Sequence, residues 1–388
     1  MVPFDGERLQ RAMRARRADV VLASTRHNVR YLTGGYYLSF YARTPRFGRG
    51  QYLSLVGIPA SDAQSAFYVG RQDGILNEQD YIGVFGPMWI TDRHWIKRGA
   101  SMSASAAEAA AQVIRDRGLA GGTIAVELPF LPADAFEALR RSLPEASFVD
   151  ATPILAELRA VKRPAELERL ERVHQATAEV VRAVMNEGRP DETTREIAAR
   201  VEAGIEERGA TFLYVFTNVG PGFLRAPSSQ QWGRGRAMHV DAGAEIDEYM
   251  ADIARMGSIG APSALAMDLF NACLEGQARV RDAVGAGLPC RDLWQVGWDA
   301  VKRGPHGRYG RFLAHGLGMV SHEPPEVSET SEGSLETSMV VSIETEYLHP
   351  DAGHIKLEDT IVVTPTGYEG LGDVAREWCV VAEPKAVP

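Results

Sequence analysis

Residues 237–257 read AMHVDAGAEIDEYMADIARMG. Two short apolar stretches flank a polar turn, which is the pattern of a β-hairpin. Asp241 stands in the first strand and Asp252 in the second. With the turn midway, around Glu245 to Glu248, the two carboxylates face each other on one side of the pair. Like charges placed that way are destabilising unless a cation or a shared proton lies between them.

A second stretch of the same kind is VVSIETEYLHPDAGHIKLEDTIVVT, residues 340–364. Its turn is built from Pro350, Asp351 and Gly353, and Glu344 and Glu358 lie in the flanking strands among Val, Ile and Leu. An isolated buried carboxylate costs several kcal/mol, so apolar strands that carry acids imply partners or a metal. Between the hairpins, LAHGLGMVSHEPP (residues 313–325) brings His315 and His322, and neutral imidazole is a common ligand for transition metals. One acid in a strand ordinarily faces solvent, and a lone histidine is ordinarily a core or surface residue. Five such groups at these positions together point to a shared cation. Four carboxylates and a histidine suit a pair of hard or borderline ions such as Mn, Co, Fe or Zn, about 3.5–4 Å apart, sharing a hydroxide and polarising a carbonyl.

The surrounding chain places these hairpins in an α+β unit. Pro164 is positioned as a first helical residue, followed by Leu167, Leu170, Val173, Val180, Val181 and Val184 at helical spacing. A second helix starts in DETTREIAARVEAGIEERG, and from Thr211 the pattern turns strand-rich, broken by one helical section from about Ser263 to Val284. Residues 1–150 alternate instead between the two patterns. A short helix spans Arg8 to Arg17, and strands are expected at Asp19–Ala23, Tyr52–Gly57, Ser65–Val69 and TIAVE. An Ala-rich helix and another near Ala133 to Ser142 complete it. The expected architecture is an α/β N-terminal domain with a mixed sheet, residues 1–155, and an α+β catalytic domain of helices on an antiparallel sheet, residues 156–388.

Composition excludes several function classes. Of 388 residues, 45% are hydrophobic and 24% charged, which is ordinary for a globular protein. With 42 Lys and Arg against 51 Asp and Glu the net charge is -9, against nucleic acid as a partner. The 3 cysteines are too few for a disulfide framework or a Cys-rich zinc site. No apolar run is long enough to span a membrane, and the start MVPFDGERLQ lacks a signal-peptide core, so a cytoplasmic location is expected.

The motifs resemble those of the pita-bread metallopeptidases, the group of Xaa-Pro dipeptidases (prolidases), aminopeptidase P, methionine aminopeptidase and creatinase. The matching pieces are Asp241-Ala-Gly, Asp252-Ile-Ala-Arg255, His315-Gly-Leu-Gly, His322-Glu-Pro, Ile343-Glu344 and Leu357-Glu358-Asp359. Asn28-Val-Arg-Tyr-Leu-Thr-Gly34 and Leu158-Arg-Ala-Val-Lys-Arg-Pro164 are similar to segments of the creatinase-type N-terminal domain, which methionine aminopeptidase lacks. The resemblance implies a curved antiparallel pita-bread sheet, two divalent ions, a small peptide substrate and a homodimer. It assigns Asp241 to one ion, His315 and Glu344 to the other, and Asp252 and Glu358 to both. Glu344 would accept a proton from a metal-held hydroxide that attacks the scissile carbonyl, and His322 would steady the oxyanion or the substrate carbonyl.

Two departures touch substrate recognition. Relatives carry a substrate-contacting histidine ahead of the first Asp, whereas GPGFLRAPSSQQWGRGRAMHVDAG has none before His239; Arg225, Ser228 and Gln230 are the candidates for that space. Lys356 stands where many relatives have Arg, and an ammonium cannot make the planar bidentate contact. Arg225 and Lys356 are therefore expected to contact substrate. So are Tyr36, Trp89 and His94 of the first domain, with Tyr37, Arg43 and Trp95 beside them, because in this family that domain often reaches a neighbouring subunit's site. The leading expectation is an Xaa-Pro dipeptidase. The alternatives are a metal-dependent hydrolase of a non-peptide amide or cyclic amidine, as in ectoine hydrolase, a dimethylsulfoniopropionate lyase, and a non-catalytic binding protein. Gly243, in place of the lyase's extra acid, and the complete ligand set count against the last two.

Overall fold

The structure, a computed structural model, describes residues 2–38, 52–72, 77–97 and 102–382. The chain divides into two compact units, Met1–Arg159 and Ala160–Pro388.

In the first unit the order is α1 (Gly6–Ala15), β1 (Val20–Ala23), α2 (Arg26–Thr33), β2 (Leu55–Pro59), β3 (Phe67–Arg71), β4 (Asp92–Ile96), α3 (Met102–Asp116), β5 (Thr123–Val126), α4 (Ala133–Ser142), β6 (Ser147–Asp150) and α5 (Thr152–Ala160). The six strands form a mixed sheet in the order β4-β3-β2-β1-β5-β6. The β1–β5, β5–β6 and β3–β4 pairs are parallel, and the hairpin neighbours are antiparallel. Ala106, Ala110 and Ile114 of α3 and Ala135, Ala138 and Leu139 of α4 pack on Val20, Leu22, Leu55, Ile124 and Val126. Small alanines let α3 lie close to the strands, which is why an Ala-rich helix serves here. Buried Glu127, just after β5, accepts hydrogen bonds from the Thr25 backbone N–H at 2.8 Å and the Asn28 amide at 2.6 Å. It thereby satisfies the N-terminus of α2, and Gly34 ends that helix at φ +90°, a conformation that favours glycine.

The second unit runs α6 (Pro164–Asn186), α7 (Thr194–Glu207), β7 (Thr211–Val219), β8 (Met238–Ile246), β9 (Tyr249–Ile259), α8 (Ala264–Ala283), α9 (Cys290–Lys302), β10 (Gly310–Gly316), β11 (Glu323–Val327), β12 (Val340–His349), β13 (Gly353–Val363), β14 (Tyr368–Leu371) and β15 (Cys379–Val381). Its sheet has the order β11-β10-β12-β13-β9-β8-β7, with β14 on β13 and β15 on β9. All pairs are antiparallel except β15–β9. Pro164 opens α6, and Glu166 reaches back to the Arg163 N–H at 3.0 Å to close the first turn. The helix α9 lies outside the single helical section expected after Thr211. Its buried stripe of Cys290, Leu293, Gly297 and Val301 passes through a glycine, which weakens the apolar signal. A Cβ at Gly297 would meet the Phe312 ring at 2.3 Å, so the aromatic residue beneath dictates the glycine above.

Strand alternation splits the sheet into two chemically different faces. Val240, Ala242, Ala251 and Ile253 pack with Val173, Val181, Ile197 and Val201 of α6 and α7. Phe312, Val341, Ile343, Ile355 and Leu357 pack with Leu269, Phe270, Leu293 and Val301 of α8 and α9. The intervening residues Asp241, Asp252, His315, Glu344 and Glu358 therefore share the opposite face.

The helix side also buries His174, whose Nδ1 lies 2.7 Å from the Leu170 carbonyl. Burial pushes its pKa down to about 4, the Leu170 contact and Asp359 only partly opposing. An unfolded histidine titrates near 6.5. As pH falls between these values the unfolded chain takes up a proton that the folded one refuses, so stability is lost on acidification, by up to about 1.4 kcal/mol per pH unit. Below about 4 this contribution levels off. Urea midpoints from pH 7 to 4 are expected to fall less steeply for His174→Gln than for the wild type; equal slopes would remove this assignment.

Candidate metal centre

The β8–β9 hairpin turns at Asp247 and Glu248, both with positive φ (52° and 69°), which gives the two-residue loop of a tight hairpin. That loop fixes the register. Asp241 faces Ala254 and Asp252 faces Gly243, so the two carboxylates lie on one face but diagonally, not directly opposite. In the second hairpin Glu344 and Glu358 are direct partners, and His315 joins from β10 beside β12. Ligating atoms of Asp252, His315 and Glu358, all three buried, lie within 4.8 Å of one another. His315 Nε2 is also 3.3 Å from Glu344 Oε1.

Lys356 holds the rest of the acids together. Its Nζ is 2.9 Å from Asp241 Oδ2, 2.7 Å from Glu344 Oε2 and 2.7 Å from Glu358 Oε2. Read from sequence as a substrate contact, Lys356 instead sits two strand positions from Glu358 on the same face, with its side chain only 3% exposed. Of the three candidates for the space before Asp241, Arg225 places its Nη2 2.5 Å from Asp241 Oδ2. Ser228 and Gln230 turn elsewhere, to Thr194 and to the Val219 carbonyl.

These charges set one another's protonation. Burial pushes Asp252 up to about 7, with Asp241 adding to the shift, and burial with Asp252 and Glu344 holds Glu358 well above the carboxylate range. Burial alone would raise Glu344, but Lys356 and His315 outweigh it and keep this carboxyl ionised. Burial would lower the Lys356 ammonium, and the carboxylates of Glu358, Asp241, Glu344 and Asp252 overcome it. With all four acids ionised, two negative charges are left over beyond those that one lysine and one arginine balance; a divalent cation supplies that charge and, in its absence, protons held on Asp252 and Glu358 do. The donor set of carboxylate oxygens and one imidazole suits such an ion.

Neighbouring groups orient the ligands. Ser342 donates to Glu358 Oε1 at 2.9 Å. Tyr214, which the sequence reading did not single out, neighbours Asp252: burial, then the charge of that carboxylate, pushes its hydroxyl well up. A bulge between Phe212 and Tyr214 aims it, and a Cβ at Gly243 would fall 2.3 Å from its ring. The glycine opposite Asp252 therefore makes room for the tyrosine, and that is the signal sequence could have supplied. His322, exposed, stacks on His315 at 3.9 Å between ring centroids. Burial, then His315, lowers its pKa, so it is neutral at neutral pH. His239 lies 3.8 Å from Asp241 Oδ2, beyond hydrogen-bond reach, and packs against His354 with the rings tilted by 34°.

On the opposite face, Asp359 follows Glu358 and meets three guanidiniums: Arg255 Nη2 at 2.8 Å, Arg376 Nε at 2.8 Å and Arg281 Nη2 at 3.4 Å. Arg255 also donates from Nη1 to the Glu358 carbonyl at 2.8 Å, tying the backbone under this ligand.

The first-unit candidates are held by their own unit. Tyr36 corrects the sequence reading: it is fully buried and its hydroxyl lies 3.2 Å from Glu78 Oε1, which leaves no surface for a substrate. Trp89 donates its indole N–H to the Leu32 carbonyl at 2.7 Å, and His94 Nε2 lies 2.8 Å from Asp92. Trp95 packs edge-on against Tyr68. Arg43 lies outside the described residues.

A profile of metallopeptidase family M24 matches residues 168–365, half of the chain, and one of the creatinase/prolidase N-terminal domain matches residues 7–161. The Xaa-Pro dipeptidase of Pyrococcus furiosus is 29% identical over 230 residues, 58% of this chain and 66% of that protein. Among solved structures, an Xaa-Pro dipeptidase from Bacillus anthracis superposes with TM-score 0.80 at 21% identity, covering 97% of this chain and 98% of the other. The prolidase from Pyrococcus horikoshii gives 0.77 at 22%, covering 96% and 99%. These likenesses show the fold, which is the pita-bread arrangement with a creatinase-type first unit. The motifs, the acid-lined sheet face and the matched profile place the chain in metallopeptidase family M24.

Proposed function

We propose that the chain is a metal-dependent hydrolase of the Xaa-Pro dipeptidase type, acting on the amide bond of a short peptide. The observation that carries this reading is the gathering of Asp252, His315 and Glu358 within 4.8 Å, with Glu344 and Asp241 joined to them through Lys356. Asp241, Asp252, His315, Glu344 and Glu358 are the residues that would hold two divalent ions, with Mn, Co, Zn and Fe all compatible with oxygen and imidazole donors. When bound, such ions polarise an amide carbonyl and make a water molecule a nucleophile at neutral pH.

The chain's own groups do the remaining work. Glu344, kept ionised by Lys356 and His315, is the proton acceptor at its carboxylate oxygens. Neutral His322, exposed at the surface of the site and stacked on His315, offers its imidazole to the substrate carbonyl and the charge that develops on it. Arg225, 40% exposed at its side chain, offers a guanidinium to a substrate carboxylate, and Phe216 beneath it supplies an apolar wall. Trp89 and His94 are kept as substrate contacts on the strength of the family resemblance, as are the homodimer and the cytoplasmic location. Among the described residues no helix is long and apolar enough to cross a membrane.

A second reading, hydrolysis of a non-peptide amide or cyclic amidine, is favoured by one observation: Arg225 occupies the approach to Asp241 where relatives carry a histidine. Purified protein supplied with Mn, Co or Zn and offered Xaa-Pro dipeptides, proline-free peptides and N-acyl or cyclic amidine compounds separates the two. Metal-dependent turnover confined to Xaa-Pro substrates is expected, and turnover of the amidines alone would select the second reading.

Asp252→Asn and Glu358→Gln are expected to abolish turnover and remove much of the bound metal; a variant keeping full metal content and rate would contradict their roles. Tyr214→Phe keeps the ring on Gly243 and loses only the hydroxyl that neighbours Asp252. Metal affinity is expected to drop about 10–100-fold while the thermal midpoint barely moves, and unchanged affinity would show that this hydroxyl does not position Asp252.

A further inference from the structure

Parts of three sequence motifs converge at a point away from the five ligands. Lys162, from Leu158-Arg-Ala-Val-Lys-Arg-Pro164, places its Nζ 3.0 Å from Oε1 of Glu323, the residue after His322, with the two side chains 1% and 2% exposed. Gly318, from His315-Gly-Leu-Gly, leaves them room: a Cβ there would fall 2.2 Å from Glu323 Oε1 and 2.9 Å from Lys162 Cε. The lysine is itself held. It donates from Nζ to the Ala160 carbonyl at 3.2 Å and from its backbone N–H to the Ser338 carbonyl at 2.9 Å. The pair stands at the end of residues 317–322, which join β10 to β11. The near end of that segment is tied by the Met250 N–H, which donates to the Gly318 carbonyl at 2.8 Å. Its far end carries Ser321, whose Oγ lies 3.1 Å from His322 Nδ1, and the exposed His322 ring on His315.

We propose that Lys162 is a positioning residue: its ion pair with Glu323 fixes the backbone at 322–323 and so holds the His322 imidazole in place over His315. This inference rests on the functional reading above, in which His322 meets the substrate carbonyl. An exposed ring on a connecting segment is not fixed by core packing, so its aim depends on the backbone that carries it. Glu323 is buried where His322 is exposed, and anchoring the one directs the other. The anchor is stiff because a buried carboxylate that leaves its cation stays desolvated and unpaired. Gly318 is part of the same device, since any side chain there would push the Glu323 carboxylate off the lysine.

The test follows the His322 ring by NMR in the full chain supplied with diamagnetic zinc, its signals assigned as those lost in His322→Ala. In the wild type they are expected at the shifted position of a ring stacked on another. They are expected to move towards those of a free histidine in Lys162→Met combined with Glu323→Leu, which removes both charges, and in Gly318→Ala, which displaces the pair from the other side. Circular dichroism selects the variants that fold. On an Xaa-Pro dipeptide the same variants are expected to lose about 10–100-fold in kcat with His322 present. In the His322→Ala background they are expected to lose less than about twofold, whereas a merely structural pair would cost the same in both. A wild-type His322 with the shifts of a free ring, folded variants with wild-type ring shifts, or an equal loss in both backgrounds would overturn the proposal. The ring shifts need no turnover, so a protein inactive on every Xaa-Pro peptide would sink the functional reading and leave the positioning of His322 to be decided by them.

Discussion

The second unit is organised by the cost of burying negative charge. Four carboxylates point to one face of a sheet whose other face is sealed by four helices, and strand alternation leaves them no other direction. Burial, and after it the repulsion of neighbouring acids, pushes Asp252 and Glu358 upward. Positive charge must be supplied. Lys356 and Arg225 supply part of it from the chain, and the cluster of Asp252, His315 and Glu358 is built to take the remainder from a divalent ion.

Support for that geometry comes from beneath the sheet. Asp359 is the neighbour of Glu358, so it must point to the helix side, where a carboxylate would be intolerable alone. Arg255, Arg376 and Arg281 surround it and lower its pKa in spite of burial. Arg255 uses a further N–H on the Glu358 carbonyl. The same residue pair thus satisfies a charge on one face and fixes the backbone that presents a ligand on the other. The fold and the site are held by one set of contacts.

Much of this was legible in the chain because it is local. Acids at alternate positions of apolar strands, around tight turns, announce which side chains share a face, and the five candidate ligands do meet on one face. What was not legible depends on register and on partners far away in sequence. The offset of Asp241 from Asp252 follows from a two-residue turn at Asp247 and Glu248, one position away from a symmetric guess. Tyr214 reaches Asp252 only through a bulge on a different strand, and nothing local marks it except the glycine at 243. Lys356 looked like a specificity residue because its type departs from the relatives; its distances show it bound to carboxylates. Tyr36 had the composition of a pocket residue and the burial of a core one, a distinction that aromatic clustering alone does not make.

The central claim is that the acid-lined face is a divalent cation site centred on Asp252, His315 and Glu358. Anomalous X-ray scattering from crystals of the full chain grown with manganese tests it most directly. The account predicts a strong peak among those three side chains, with ligand distances near the values for oxygen and imidazole donors. An anomalous map empty at that place, or one whose only peaks lie elsewhere on the protein, would contradict it.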